Sequence, residues 1–252
     1  DPENHHYWFP LVGTSVLLYP NHTKEHLNDA LVRKALSMAI DREKMVRIAM
    51  YDYTKPATES GLSPAFGDWE EPEEKWTTYN PERAIEYFEK AGYVYKDQQM
   101  LDQDGNQLHF DIAVVSGWSD WVRAAQVVSM SFRKIGVSSK VVGQEFGAWF
   151  HNLQSGTFDL SLGWSNEGPT PASFYAGMLS QKDVLPVGEA APSNWHRYGD
   201  KEVDELLEKL EATPEPSEQK IILQQIQNRF VEAAPALPLF LNPSWGEYNT
   251  TN

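Results

Sequence analysis

Two kinds of apolar pattern alternate along the chain. Apolar and β-branched residues fill "WFPLVGTSVLLYPN" between Pro10 and Pro20, which predicts extended chain. Next, Leu31, Ala35, Leu36 and Ala39 recur at helical spacing. Arg33 and Lys34 lie on the other face, and Asn28 and Asp29 precede the run as caps. Asp41 opens a second helix, "REKMVRIAMY". Residues 54–78 are rich in Pro, Gly, Trp and Glu and show no period, so they read as a long surface loop whose run "DWEEPEEKW" is solvated. Asn80, Pro81 and Gly92 bracket a third helix. In "DQDGNQLHFDIAVVSG" a turn leads into a strand. Asp102, Asp104 and Asn106 have calcium-loop spacing, but the later glycine and closing glutamate are missing, so a β-turn with Gly105 at its tip is expected.

The alternation continues with a helix from Ser119 to Gly136, for which Ser119 and Asp120 are candidate caps. "VSSKVVGQ" follows as a strand, "FGAWFHNLQSG" as a helix and "FDLSLGW" as a strand. Beyond a proline-rich loop come a short helix, "SFYAGMLS", and two amphipathic helices, "DKEVDELLEKLEA" and "EQKIILQQIQNRFVEAA". "ALPLFLNPSW" is extended and the tail "GEYNTTN" is polar. Strands alternating with helices predict an α/β fold with a mixed, mostly parallel sheet flanked by helices on both faces. Ligands of such sheets bind beyond the carboxyl ends of the strands. That rule puts "SGWSDW" and "GWSNEG" on one edge, as a candidate site.

Composition narrows the function classes. The formal net charge of -15 disfavours nucleic acid and anionic membrane surfaces but leaves a neutral ligand unaffected. There is no cysteine, which removes disulfides, thiolate metal sites and cysteine nucleophiles. The histidines show no ligand spacing apart from His5 and His6, in a terminus expected to be mobile, so no metal and no cofactor is assigned. "DPENHHYWFP" lacks a basic region followed by an apolar one, so no signal peptide is expected in this chain. Nine tryptophans are more than a core of this size usually needs. Any single one is more readily core than ligand, and Trp149 and Trp121 fit that reading best.

"DALVRKALSMAIDREKMV" resembles the alanine-leucine, alanine-isoleucine-aspartate-arginine signature of the extracellular solute-binding proteins of family 5. "YNPERAIEYFEKAGY", "SFRKIGV", "GTFDLSLGW", "DKEVDELLEKL" and "PALPLFLNPSW" are similar to family segments in the same order. The resemblance implies that residues 1–252 form a single lobe, the ligand-binding middle domain of a larger two-lobed receptor with a type II periplasmic-binding-protein-like fold. Its hinge-proximal segments would lie near residues 8–20 and 236–248, with Trp8 and Trp245 lining the hinge. The implied partners are a small oligosaccharide or peptide, the remaining lobe and the permease subunits of an ABC importer. The implied location is periplasmic or extracellular.

In the peptide-binding branch, an aspartate after the strand matching "FDLSLGW" neutralises the peptide's amino terminus. Glu167 falls there, in an amide-bearing neighbourhood. "WSN-GPTP" is similar instead to the branch that binds β-linked oligosaccharides such as cellobiose. A sugar ring needs aromatic plates for its faces and planar polar groups for its rim. Trp164 would supply a plate with Asn166 and Glu167 at the rim; Trp118 and Trp121 a second plate with Ser119 and Asp120 as polar partners; and Asn194 and Trp195 a third element. Oligopeptide binding is the alternative. A glycosidase is the rival from another class, with Glu167 and Asp120 as its carboxylates. No Gly-x-Ser-x-Gly elbow, Gly-rich phosphate loop or HExxH motif is present, so a binder rather than an enzyme is expected.

Overall fold

The computed structural model describes residues 3–8, 10–11, 15–63, 66, 74–165, 168, 170–244 and 246–250. Its centre is a five-stranded sheet in the order β6-β5-β7-β2-β8. These strands are β2 (Ser15–Pro20), β5 (His109–Val115), β6 (Ser138–Gln144), β7 (Leu160–Trp164) and β8 (Leu237–Leu241). The sheet is mixed. β6, β5 and β7 run parallel, while β2 lies antiparallel between β7 and β8. Val16, Leu17, Leu18 and Tyr19 in β2 are fully buried, as their unbroken apolar run requires of a strand covered on both faces.

Two crossovers set the layers. α4 (Ser119–Lys134) joins β5 to β6, and α5 (Phe146–Ser155) joins β6 to β7. The strand order makes these connections run in opposite directions, so the right-handed rule puts α4 and α5 on opposite faces. α4 packs on β5 and β6 and against α1 (Ala30–Ala39) and α2 (Arg42–Ala49), while α5 packs on β5. α3 (Pro81–Lys90) packs on α1; α6 (Pro171–Leu179), α7 (Lys201–Ala212) and α8 (Pro216–Ala233) pack on one another.

Local signals account for most helix starts. Asp29 accepts from the Leu31 amide, Asp41 from Lys44, and Asn80 from Arg83 with Pro81 in the first turn. The arginine of the family-like signature is structural. Arg42 Nε donates to the Pro238 carbonyl at 2.7 Å, and Nη1 donates to Ser37 and Thr77 carbonyls, both at 2.9 Å. It thereby ties α2 to β8. Its burial brings the guanidinium down to about 9, opposed by the nearby Glu59 carboxylate.

Several elements depart from the pattern reading, among them the segment 54–78, read as a surface loop, which buries Glu59, Leu62 and Trp76. Ser119 and Asp120 do not cap α4; the cap position is Trp118, and no side chain bonds the free amides there. His5 and His6 are not loose, and the tail is not merely polar. Instead β1 (His5–Trp8) pairs antiparallel with β9 (Gly246–Asn249), and His6 stacks on Tyr248 at 5.0 Å. A hairpin, β3 (Val94–Lys96) with β4 (Gln99–Leu101), precedes the Asp102 turn. In that turn Asp102 accepts from the Asp104 and Asn106 amides and Gly105 has φ 82°, the turn expected from its sequence.

Candidate functional site

Parallel strands β5, β6 and β7 end at Val115, Gln144 and Trp164 on one edge of the sheet. The connections from β5 and β6 diverge to opposite faces there, which leaves a crevice between the strand ends. The chain fills it with rings. Trp118 comes from the start of α4, Phe146 and Phe150 from the first turns of α5, and Trp164 from the last position of β7.

Trp164 is the hub. Its ring centroid lies 5.2 Å from Trp149, 5.9 Å from Phe150 and Trp195, 6.0 Å from Trp118 and 6.2 Å from Trp121. Phe146 lies nearly parallel to it, at 19° and 6.5 Å, and stacks on Phe150 at 7° and 5.8 Å. Such ring pairs add roughly 0.5–1.5 kcal/mol each beyond their buried area.

The rings form two layers. Trp149 is fully buried and its indole N–H donates to Ser161 Oγ at 3.1 Å. Trp121 is buried beside Ala124 and Ala125, one turn along α4. These two form a floor, as core residues do. Trp118, Phe150 and Trp164 are half-buried and Phe146 is 47% exposed, so these four form the outward layer at this edge.

The sequence-predicted residues divide accordingly. Trp164 and Trp118 come together at this surface, and Ser119 is exposed beside them. Asn166 and Glu167 lie outside the described residues. Trp121 belongs to the floor. Trp195 is only 4% exposed: it packs edge-on beneath Trp164 and donates its N–H to the Ala191 carbonyl. Asn194 is also turned inward, at 1% exposure. Its amide donates to the Ser180 and Tyr198 carbonyls, its oxygen accepts from the Tyr198 amide, and its φ of 48° is the left-handed backbone that asparagine tolerates. Asn194 and Trp195 therefore hold a loop together from within and do not form a binding rim. Phe146 and Phe150 escaped the sequence reading because they sit i, i+4 on a helix with Trp149, a spacing that reads as core.

Ser165 Oγ, directly after Trp164, is fully buried and has no hydrogen-bond partner among the described residues. No group of three or more metal-ligating side chains occurs among the described residues. None of their helices is long and apolar enough to cross a membrane.

The profile of "Bacterial extracellular solute-binding proteins, family 5 Middle" matches residues 4–185. The chain is 23% identical over 230 residues to a dipeptide-binding protein of Escherichia coli, covering 90% of this chain and 40% of that relative. An oligopeptide ABC transporter periplasmic binding protein of Thermotoga maritima, solved with mannohexaose bound, superposes with a TM-score of 0.83 at 22% identity. That match covers 95% of this chain and 46% of the other. An oligopeptide-binding protein of Bacillus subtilis, solved with a nonapeptide, gives 0.81 at 21% identity, covering 98% and 48%. The chain thus spans less than half the length of each of these relatives. With the profile matched over most of its length, the chain belongs to family 5 of the bacterial extracellular solute-binding proteins.

Proposed function

We propose that this chain is one lobe of a two-lobed receptor that delivers a short peptide to an ABC importer on the outer side of the membrane. The ring surface of Trp118, Phe146, Phe150 and Trp164 carries the reading, because it gives an apolar wall at the edge where such sheets bind ligands. β2 begins and β8 ends at this edge, since Ser15 pairs with Leu241 and Val16 with Trp164. The β1–β9 ribbon follows from those ends, so it is the crossing to the remaining lobe in this reading. Closure of the lobes would bury the solute, and ligand drives closure only through contacts made with both.

The choice of peptide over sugar follows from the polar groups. A sugar rim needs several planar donors and acceptors. With Asn194 and Trp195 turned inward, the described wall is mostly ring carbon, which suits peptide side chains. The relatives named for dipeptides and oligopeptides agree. A second reading, an oligosaccharide, is favoured by one observation: Phe146 and Trp164 lie nearly parallel, as plates for a sugar face would, and a structural neighbour was solved with mannohexaose.

A thermal-shift panel on the full receptor separates the two. Di- and tripeptides are expected to raise the melting temperature, and cellobiose, cellotriose and mannohexaose to leave it unchanged. A shift with sugars alone would replace the first reading with the second.

A further inference from the structure

The segment between α6 and α7 carries Trp195 and His196 side by side, and both are buried. Two routes lead from this pair to the ring wall. Trp195 packs edge-on against Trp164 at 5.9 Å and against Phe150 at 6.1 Å. His196 stacks on Tyr19 at 5.4 Å, and the Tyr19 hydroxyl donates to the Trp164 carbonyl. One short segment therefore supports both the ring and the backbone of the hub.

Seating this segment is costly. Asn194 and Arg197 both lie in the left-handed backbone region, at φ 48° and 64°, which an arginine rarely adopts. Two of its buried nitrogens, His196 Nδ1 and Arg197 Nε, have no hydrogen-bond partner among the described residues. Strain of this kind persists only while neighbours hold it, and it gathers in elements that switch. The neighbours here are main-chain groups. The Asn194 amide donates to the Gly177 carbonyl and the His22 amide to the His196 carbonyl, both at 2.9 Å, and Arg197 donates to the Gln154 and Glu189 carbonyls.

A proton is what the seat excludes. His196 Nε2 lies 2.9 Å from the Met178 carbonyl, which only accepts, so Nε2 carries the hydrogen and Nδ1 the lone pair. A second proton would go to Nδ1, where no acceptor waits among the described residues. The groups around the ring do not help. Arg33 on α1 and Arg197 in the segment are cations that oppose it. His22 lies 5.6 Å away, with its own Nε2 donating to the Pro235 carbonyl, and Tyr198 lies 5.0 Å from His22. Tyr19 is a phenol kept neutral by burial. The carboxylates of the region serve other cations: Asp200 and Glu232 pair with Arg229, Glu189 acts on Arg197 and Asp29 on Arg33.

We propose that the segment Trp195–Tyr198 is an acid-operated support of the ring wall: proton uptake at His196 unseats it, withdraws Trp195 from beneath Trp164 and releases the solute. Burial brings the seated His196 down to about 3, and an unseated one returns to about 6.5. The seated form therefore prevails above that higher value and loses ground as pH falls through it. From pH 7 to pH 5 the ratio of unseated to seated form rises about 25-fold for each histidine that unseating frees. The proposal rests on the ring wall as the solute surface, whether the solute is a peptide or a sugar.

The test is hydrogen exchange on the full receptor at pH 7 and pH 5, with intrinsic rates corrected for pH. It reads the amides of Asn194, Arg197 and Tyr198, which are bonded to Gly177, to the Asn194 carbonyl and to Asn194 Oδ1. Their opening is expected to rise about 25-fold or more at pH 5, while the amides of β2 stay protected. A histidine-free tripeptide library, counted by native mass spectrometry, should lose at least half of its retained species at pH 5. His196→Phe keeps a ring in place but takes no proton, and it should lower the rise in opening by about 25-fold and keep the peptides bound at pH 5. Unchanged exchange in the unaltered protein overturns the proposal, whether or not the variant folds. So does an equal rise in β2, which would mean global unfolding, and so does a rise with full retention, which would mean that the segment opens without supporting the wall. A library not retained even at pH 7 overturns the peptide reading alone; mannohexaose then takes its place in the same comparison.

Discussion

The hydroxyl of Tyr19, a fully buried residue of β2, donates to the main-chain carbonyl of Trp164 at 2.9 Å. One hydrogen bond thus connects the centre of the sheet to the hub of the ring wall. Burial alone pushes the phenol far up from its ordinary range, so it remains a donor at any working pH. Removing it in Tyr19→Phe should cost about 1 kcal/mol in urea unfolding and loosen the Trp164 backbone. Gly163 makes the arrangement possible, because a Cβ there would sit 2.8 Å from the Tyr19 ring. Gly163→Ala should therefore cost more, about 1–3 kcal/mol, as overpacking does. Unchanged midpoints in both variants would show that the tie carries no weight.

Phe146→Ala separates ligand contact from folding. The ring is 47% exposed, so little packing is lost and the urea midpoint should barely move. Ligand affinity of the full receptor should fall by about tenfold, the ordinary scale for an interfacial aromatic. A large loss of stability would instead make Phe146 part of the core.

Asn194→Ala should do the reverse. It strands the Ser180 and Tyr198 carbonyls and puts alanine at φ 48°. A cost of about 2–3 kcal/mol is expected from the lost partners and the strained backbone. Ligand affinity of the folded protein should be unaltered. A lowered affinity with full stability would return Asn194 to the binding surface.

Acid should weaken the fold through two histidines. His22 and His196 are packed 5.6 Å apart, with Tyr19 stacked on His196 at 5.4 Å and Tyr198 5.0 Å from His22. Nε2 of His22 meets the Pro235 carbonyl and Nε2 of His196 the Met178 carbonyl, both at 2.9 Å. His196 Nδ1 has no partner among the described residues. Burial holds both rings neutral, helped by the cations Arg33 and Arg197, and brings His196 down to about 3. Their folded values lie below the unfolded one, so the unfolded chain binds the extra protons. The stabilisation is complete above the unfolded value of about 6.5 and is lost progressively as pH falls through it toward the folded value. At pH 5 the loss should be about 2 kcal/mol per histidine. Urea melts at pH 7 and pH 5 measure it, and His196→Phe should flatten the dependence. Equal midpoints at the two pH values would rule the mechanism out.

Arg42→Lys should destabilise by about 2–4 kcal/mol, since an ammonium cannot reach Pro238, Ser37 and Thr77 together. Thermal melts check it, and a shift under 2 °C would mean the lysine finds substitutes for the lost bonds.

The sequence by itself determined what depends on neighbours along the chain. Asp29, Asp41 and Asn80 cap their helices, the run in β2 reads as extended chain, and Gly105 closes a turn, because capping, alternation and turn chemistry act within a few residues. The same local order carries the family signature. Only the tertiary structure decided which rings face out. Trp164 and Trp195 look alike in sequence, each near small and amide residues, yet Trp195 is roofed over by Trp164 and Phe150, from segments some 30 and 45 residues earlier. The β1–β9 pairing, across almost the whole chain, has no local signal beyond two short polar-aromatic stretches. Burial is a property of what remote segments bring to a position, and no window of neighbouring residues contains it.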